Sequence, residues 1–466
     1  MPSAIHWFRR DLRITDNTAL HAAATAFSTV VPCYVLSTWR ASHGWTGSKR
    51  QQFLCDSLRS LSANLEALCS RLIIRAGDAV EELITLARET GAEAIYFNRD
   101  PDLFGKAVEA RLRARCQETG IQCLGFKDAV LHEASEALTG SGQPYRVFTP
   151  YSKNWLALPK ARPLGKITSL GSVANATSLP LPTLEHWGLS LPSDAQIPPA
   201  GERAARDRMK AFIETGILDR YGVDRNLPAG QTTSCLSQDL RFGLISIREL
   251  YARCQERAAQ HPAAAGSILT YTKELAWREF YMAILHHYPE VLDREFNPDL
   301  RNIEWPGTEE NFQAWATART GFPIVDAGMR QLLTTGLMHN RVRMIVAMFL
   351  TKDLHLDWRL GEQFFHQHLV DAEIASNNGG WQWSAGTGAD AAPYFRIQNP
   401  WTQTLRYDPE GRYIKHWLPE LANVPPERFC EPPKDNRPLV PGYPLPMVDH
   451  SVERDRTLAR FKAGKG

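Results

Sequence analysis

Short apolar runs alternating with longer amphipathic stretches fill the first quarter of the chain. The runs are Ile5 to Phe8, VVPCYVL (30–36), RLIIRAG (71–77), AEAIYFN (92–98) and IQCLGF (121–126). Between them lie stretches such as KRQQFLCDSLRSLSANLEAL and DAVEELITLARE, in which apolar positions recur at helical spacing. Apolar runs that do not alternate are strands buried on both faces, and their alternation with helices predicts a doubly wound parallel sheet. Asp16 or Asn17 is placed to cap the helix opening at TALHAAATA. No GxGxxG follows the first strand, so residues 1–130 form a Rossmann-like α/β domain without the usual dinucleotide fingerprint.

Between 131 and 202 the pattern dissolves into proline-rich text, as in SLPLPTLEHWGLSLPSDAQIPPAGE, which predicts a connector laid over the surface. From 203 to 466 strand signals nearly vanish. ERAARDRMKAFIETGI, SIRELYARCQERAAQ, SILTYTKELAWREFYMAILHHY and NRVRMIVAMFLTKDL all repeat apolar positions at helical spacing, which predicts a mainly α-helical second domain. The chain carries no internal repeat or low-complexity tract.

At 466 residues there is room for two or three domains, and 43% hydrophobic with 22% charged content is ordinary for a globular protein. A formal net charge of +2 excludes a basic-tail protein, so any nucleic-acid contact must come from a local patch. Eight Cys, at 33, 55, 69, 116, 123, 235, 254 and 430, show no CxxC pair and no zinc spacing, which points to reduced thiols and no metal site. The opening MPSAIHWFRRDLRITDN places charge directly after a very short apolar run, unlike a signal peptide. No run approaches the roughly 20 apolar residues that cross a bilayer. A soluble, cytoplasmic, monomeric protein without membrane contact is the expectation.

Candidate chemistry concentrates in DAEIASNNGGWQWSAGTGADAAPYFRIQNP, Asp371 to Pro400. Asn377 and Trp381 are four apart and share a face if the segment is helical, whereas Trp383 leaves that face. Gly379 and Gly380 let the backbone bend or come close to something flat. Indoles are often only core, but buried Asn, Gln and Asp beside them need partners, and a polar ligand supplies these more easily than apolar packing. TTSCLSQDLRFG, 232–243, sets hydroxyls before a helix start, where a phosphate could bind or where they are ordinary caps. ELAWREFY puts Glu274, Trp277 and Arg278 on one helical face, and MHNRVRM does the same for Asn340 and Met344. FRRDLR on its own reads as a charged strand end making surface ion pairs, worth little.

The run from Gly321 to Pro400, through GFPIVDAGMRQL, LMHNRVRMIVAMFLTKDLHLDWRLGEQFF and NNGGWQW, closely resembles the flavin-binding signature of the photolyase and cryptochrome family. WFRRDLR resembles that family's opening, where the first domain carries a light-harvesting antenna. The resemblance implies FAD, acting as FADH⁻, held by Tyr221, Thr233, Ser234, Leu236, Ser237, Arg278, Arg343, Asp371 and Asn377, with Arg343 paired to Asp371 and Asn377 facing the flavin N5. It implies a catalytic wall of Glu274, Trp277, Asn340, Met344, Asn377 and Trp383 around a pyrimidine dimer in UV-damaged DNA, and phosphate contacts from Arg225, Arg341 and Arg396. Trp305, Trp358 and Trp381 match the family's electron-transfer file from surface to flavin. FNRDPDLFGK resembles deazaflavin-binding relatives more than folate-binding ones, with Asp100 a candidate contact, so the antenna is expected to be 8-hydroxy-5-deazaflavin or methenyltetrahydrofolate. The implied activity is light-driven cleavage of cyclobutane pyrimidine dimers, a carbon–carbon lyase reaction. Met338, His339, Asn340, Arg341 offers one His where relatives that repair (6-4) photoproducts have a pair, which points away from that lesion. A cryptochrome-type blue-light receptor is the alternative. Such proteins usually carry a long C-terminal extension, which is not expected after RTLARFKAGKG. A flavin-free DNA-binding protein is a further rival.

Overall fold

A computed structural model describes residues 3–464 apart from Lys166, Ala174, Asn175, Ala392, Tyr394 and Asp435. The five apolar runs are its strands: β1 Ser3–Phe8, β2 Thr29–Leu36, β3 Ile73–Ala76, β4 Ala92–Asn98 and β5 Gln122–Phe126. They pair in parallel in the order β3-β2-β1-β4-β5. That order reverses at β1, as in doubly wound folds. Every residue of β1 is buried. Ala4 and Phe8 enter one core while Ile5 and Trp7 enter another, which is why the run does not alternate.

The end of β1 does not make surface ion pairs. Arg10 pairs with Asp100 beyond β4 and with Glu373 in the helical domain, and Arg13 binds both oxygens of Asp128. Arg248 of the helical domain joins Asp16 and the same Asp128 at 3.0 and 2.8 Å. These side chains are buried, so FRRDLR fastens one half of the molecule to the other. Burial alone would raise the Asp128 carboxyl, but Arg13 and Arg248 hold it down at about 2.

The proline-rich stretch is more than a surface connector. It forms the helix Phe148–Ala157, whose Trp155 is fully buried and donates to Glu279 at 2.6 Å. Farther on, the Leu179 amide bonds the Ile74 carbonyl at the edge of β3, and Trp187 is buried. Apolar residues among the prolines decide this, because two indoles and a sheet edge need covering.

The rest is helical. One core spans the sheet face, Trp155 and the long helix Ala265–His287, and a second gathers Trp315, Phe365, Trp358 and Trp381. NRVRMIVAMFLTKDL does not continue as one α-helix. It is α-helical over Asn340–Met348 and widens into a π turn over Phe349–Asp353. No described helix is long and apolar enough to cross a membrane.

Candidate active site

The segment Asp371–Glu373 is fixed residue by residue, each by a different arginine. Arg343 donates to Asp371 at 2.8 Å, Arg241 to the Ala372 carbonyl at 2.9 Å, and Glu373 accepts from Arg10 and, at 3.2 Å, from Arg278. Both carboxylates of the segment are ion-paired, which offsets the cost of burying them. Two polar atoms stay buried without a protein partner, Oδ1 of Asp371 and Nη2 of Arg278. A polar ligand bound beside this segment would satisfy both.

The helix Ile374–Ala385 then carries the NNGGWQW motif. Its spacing places Asn377 and Trp381 on one face, but that face meets protein. Trp381 is buried against Phe365 and Trp315, its ring lying so close to Gly361 of the helix Trp358–His368 that a Cβ there would collide with it. The Asn377 amide donates to the Glu362 carbonyl at 2.9 Å. Asn378 and Gln382 are likewise satisfied by protein. Asn378 bonds Val291 and Glu362, and Gln382 bonds Val291, Arg294 and Phe296. The polar crowd thus braces the loop at 291–296, which supplies backbone groups the sequence pattern does not reveal. Gly379 is required, since a side chain there would strike the Tyr281 ring, whereas one at Gly380 would meet nothing within 4 Å. Burial lifts the Glu362 carboxyl to about 7, against the pull of the Asn378 amide.

The hydroxyl turn behaves differently from an ordinary cap. The helix Ser237–Phe242 has Leu236 at its N-cap and no capping side chain. Thr232 donates back to the Leu227 carbonyl at 2.9 Å, and Thr233 lies 3.7 Å from Cys235, which has a positive φ of 49°. Tyr221 is buried edge-on to Tyr271.

Around the rim, Glu274 takes an ion pair from Arg225. The adjacent Asn226 accepts from Arg341 at 2.7 Å. Arg341 and Arg406 both lie over the Tyr407 ring, at 4.6 and 5.3 Å. Trp277 stacks on Phe148 at 3.7 Å. Asn340 is exposed at its helix start and Met344 half-buried one turn on; Trp383 is half-buried and Arg396 exposed. His339 caps the helix, its Nδ1 accepting from the Arg341 amide at 3.2 Å, and burial with Arg341 and Arg343 nearby pushes its ring down to about 4. Of the indole file, Trp358 is fully buried and Trp305 half-buried under Arg460. Asn226, Tyr407, Phe148 and Glu362 carried no sequence signal, because each acquires its place from a partner distant in the chain. Asp100 borders a cavity of about 190 Å³ at the seam of the two halves, with Lys106, His132 and His286, but its carboxylate is engaged by Arg9 and Arg10. No metal-binding cluster occurs among the described residues.

Residues 4–167 match the family described as DNA photolyase, and 271–463 the FAD binding domain of DNA photolyase. A deoxyribodipyrimidine photo-lyase of Synechococcus is 39% identical over 98% of this chain and 96% of its own. The chain belongs to the DNA photolyase family. With relatives so named over its whole length, it is an enzyme of that family. Among solved structures, a class III photolyase from Agrobacterium tumefaciens superposes with a TM-score of 0.92 at 38% identity, covering 100% of this chain and 98% of its own. A Synechocystis cryptochrome gives 0.87 at 27%, covering 98% and 99%.

Proposed function

We propose that this photolyase-family enzyme splits cyclobutane pyrimidine dimers in DNA with light, using FAD. The observation that carries the reading is the rim where Glu274–Arg225 and Arg341–Asn226 stand side by side, joining a carboxylate suited to a lesion to cations suited to phosphate. Arg343, Asp371, Arg278 and Asn377, with Tyr221 and the turn Thr233, Ser234, Leu236 and Ser237, would hold FAD. The partnerless Asp371 Oδ1 and Arg278 Nη2 fit that role. Bound in its reduced, light-absorbing form, FAD supplies the electron that opens the cyclobutane ring.

The chain's own groups do the rest. Photolyases are among the enzymes that extrude a target nucleotide from the duplex. Arg225, Arg341 and Arg396 would grip the flanking phosphates, making binding salt-dependent. Trp277, Met344, Asn340 and Trp383 would wall the extruded dimer, and Glu274 would stabilise charge developing on it. Trp381, Trp358 and Trp305 would resupply electrons. A 8-hydroxy-5-deazaflavin or methenyltetrahydrofolate antenna is part of the proposal, and the absorption spectrum of gently purified protein tells the two apart.

His339, a neutral helix cap, leaves no protonated His pair for (6-4) chemistry. Purified protein is expected to carry stoichiometric FAD and to repair defined thymine-dimer oligonucleotides in blue light, but not in the dark and not (6-4) lesions. The cryptochrome likeness makes a blue-light receptor the second reading. Bound FAD with no repair of either lesion would favour it, and protein that neither contains nor takes up FAD would sink both.

A further inference from the structure

All eight cysteines are free, and two of them touch. Cys116 lies in the last turn of the helix Leu103–Thr119 and Cys123 on β5. A left-handed turn at Gly120 joins the two elements, and the Ile121 amide closes it by donating to the Cys116 carbonyl at 3.0 Å. Cys123 thereby packs against the core cluster in which Cys116 is buried, and the two thiols hydrogen-bond. Their exposures differ. Cys116 is 1% exposed, whereas Cys123 is half-buried on β5, the edge strand of the sheet, which has no fully buried residue. Arg113, one turn before Cys116, donates to the Cys123 carbonyl at 3.3 Å and lies over the Phe97 ring at 5.5 Å.

Asymmetry of this kind gives two thiols different roles. The thiolate is the nucleophile toward oxidants, and it forms where a sulfur accepts a hydrogen bond near a positive charge. Cys123 meets both conditions. The Cys116 S–H and the Arg113 guanidinium hold its thiol below the usual range, against burial and the charge of Glu109. Cys116 gives that hydrogen bond, is buried and sits at the negative end of its helix, so its thiol is pushed up and keeps its proton. A partly exposed thiolate beside a second thiol is the arrangement that oxidises first and is then capped by its neighbour. We propose that Cys116 and Cys123 form a peroxide-reactive dithiol, a modification site at the sheet edge that hydroperoxides convert to a disulfide.

The Cys123 thiolate attacks one peroxide oxygen, the O–O bond breaks, and the other oxygen leaves as hydroxide. Cys123 is then a sulfenic acid. Cys116 gives its proton to that hydroxide, making water, and its sulfur attacks Cys123. The S–O bond breaks as the S–S bond forms, releasing hydroxide. Two electrons have passed from the sulfur pair to the peroxide, and a dithiol reductant returns them by exchange. Sulfurs already in contact have only to close to the roughly 2 Å of a disulfide. Neither cysteine belongs to the proposed flavin or lesion site, so the reaction is read without reference to repair.

Cleavage after Arg115 and Lys127 releases both cysteines on one peptide, residues 116–127. The test treats the purified full-length protein in the dark with hydrogen peroxide, quenches with an alkylating reagent, and weighs this peptide. It is expected to become two hydrogens lighter and unlabelled before the exposed Cys69 loses its label, and to take up both labels again after dithiothreitol. Cys116→Ser should stop at a Cys123 sulfenic acid that dimedone captures, and Cys123→Ser should leave Cys116 unreactive. A peptide that keeps both labels while Cys69 is oxidised would overturn the proposal. So would a Cys116→Ser protein whose Cys123 captures no dimedone, or a Cys116 lost equally fast in Cys123→Ser. Should a serine variant not fold, the wild-type peptide decides alone.

Discussion

At the scale of single residues, the ion pair between Glu274 and Arg225 couples the proposed lesion contact to a proposed phosphate contact. Removing the carboxylate leaves the cation in place, and phosphate contacts supply most of the affinity for DNA. Glu274→Ala is therefore expected to lower repair per absorbed photon while leaving the dissociation constant for damaged DNA nearly unchanged. A large loss of affinity with normal repair of bound dimers would reverse the assignment. Glu362 gives a pH signature. Its folded value of about 7 lies above the ordinary carboxylate range because it is buried, so the folded state favours the proton. That contribution is complete below the unfolded value and is lost as pH rises through about 7, where an ionised Glu362 costs up to about 3 kcal/mol. Glu362→Gln should flatten the fall in melting temperature between pH 5 and 8 on the order of that energy. Glu274 was legible from its neighbours ELAWREFY, whereas Glu362 was not, since only its burial in the fold makes it unusual.

Among elements, the helix Ile374–Ala385 has two glycines with opposite requirements. Gly379 lies against the Tyr281 ring and Gly380 does not. Gly379→Ala should cost about 1–3 kcal/mol through overpacking. Gly380→Ala should be neutral or stabilise by up to about 1 kcal/mol, because alanine is the better helix former. Thermal melting of the two variants checks this, and equal losses would mean the helix is seated otherwise. The same helix presses Trp381 into the file of aromatic rings. Trp381→Phe should strongly slow photoreduction of oxidised flavin, followed by absorbance under blue light, because phenylalanine is far harder to oxidise. Photoreduction at the wild-type rate would remove Trp381 from the path. The helix itself was readable from spacing; which of its faces meets protein was not, because three partner segments decide it.

Across the whole molecule, Arg13 and Arg248 reach the one carboxylate of Asp128 from opposite halves of the chain. Its folded value, about 2, lies below the ordinary range, so the stabilisation is present above the unfolded value near 4 and lost as pH falls toward 2. Asp128→Asn strands two buried guanidiniums and should cost about 3–5 kcal/mol, with loss of the acid dependence in that window. Denaturant unfolding at pH 7 and pH 3 tests both parts, and a cost that stays the same at both would show that the carboxylate is not ionised in the fold.

From the sequence came what depends on neighbours along the chain. Strand and helix order follows from the period of apolar residues, the family from an unbroken run of matching letters, and the candidate wall from i, i+3 and i+4 spacing. Tertiary structure alone decided which charges are buried. FRRDLR looks like a solvated strand end until Asp100, Asp128 and Glu373 close around it. It also decided that 131–202, though largely at the surface, would send Trp155 and Trp187 into the core. And it set the loop carrying Glu295 onto Trp358, through a glutamine whose partners in that loop lie more than eighty residues away. Periodicity reports how a residue relates to its own element. Charge pairing and polar satisfaction are settled by what other elements bring to it, and no local pattern contains that information.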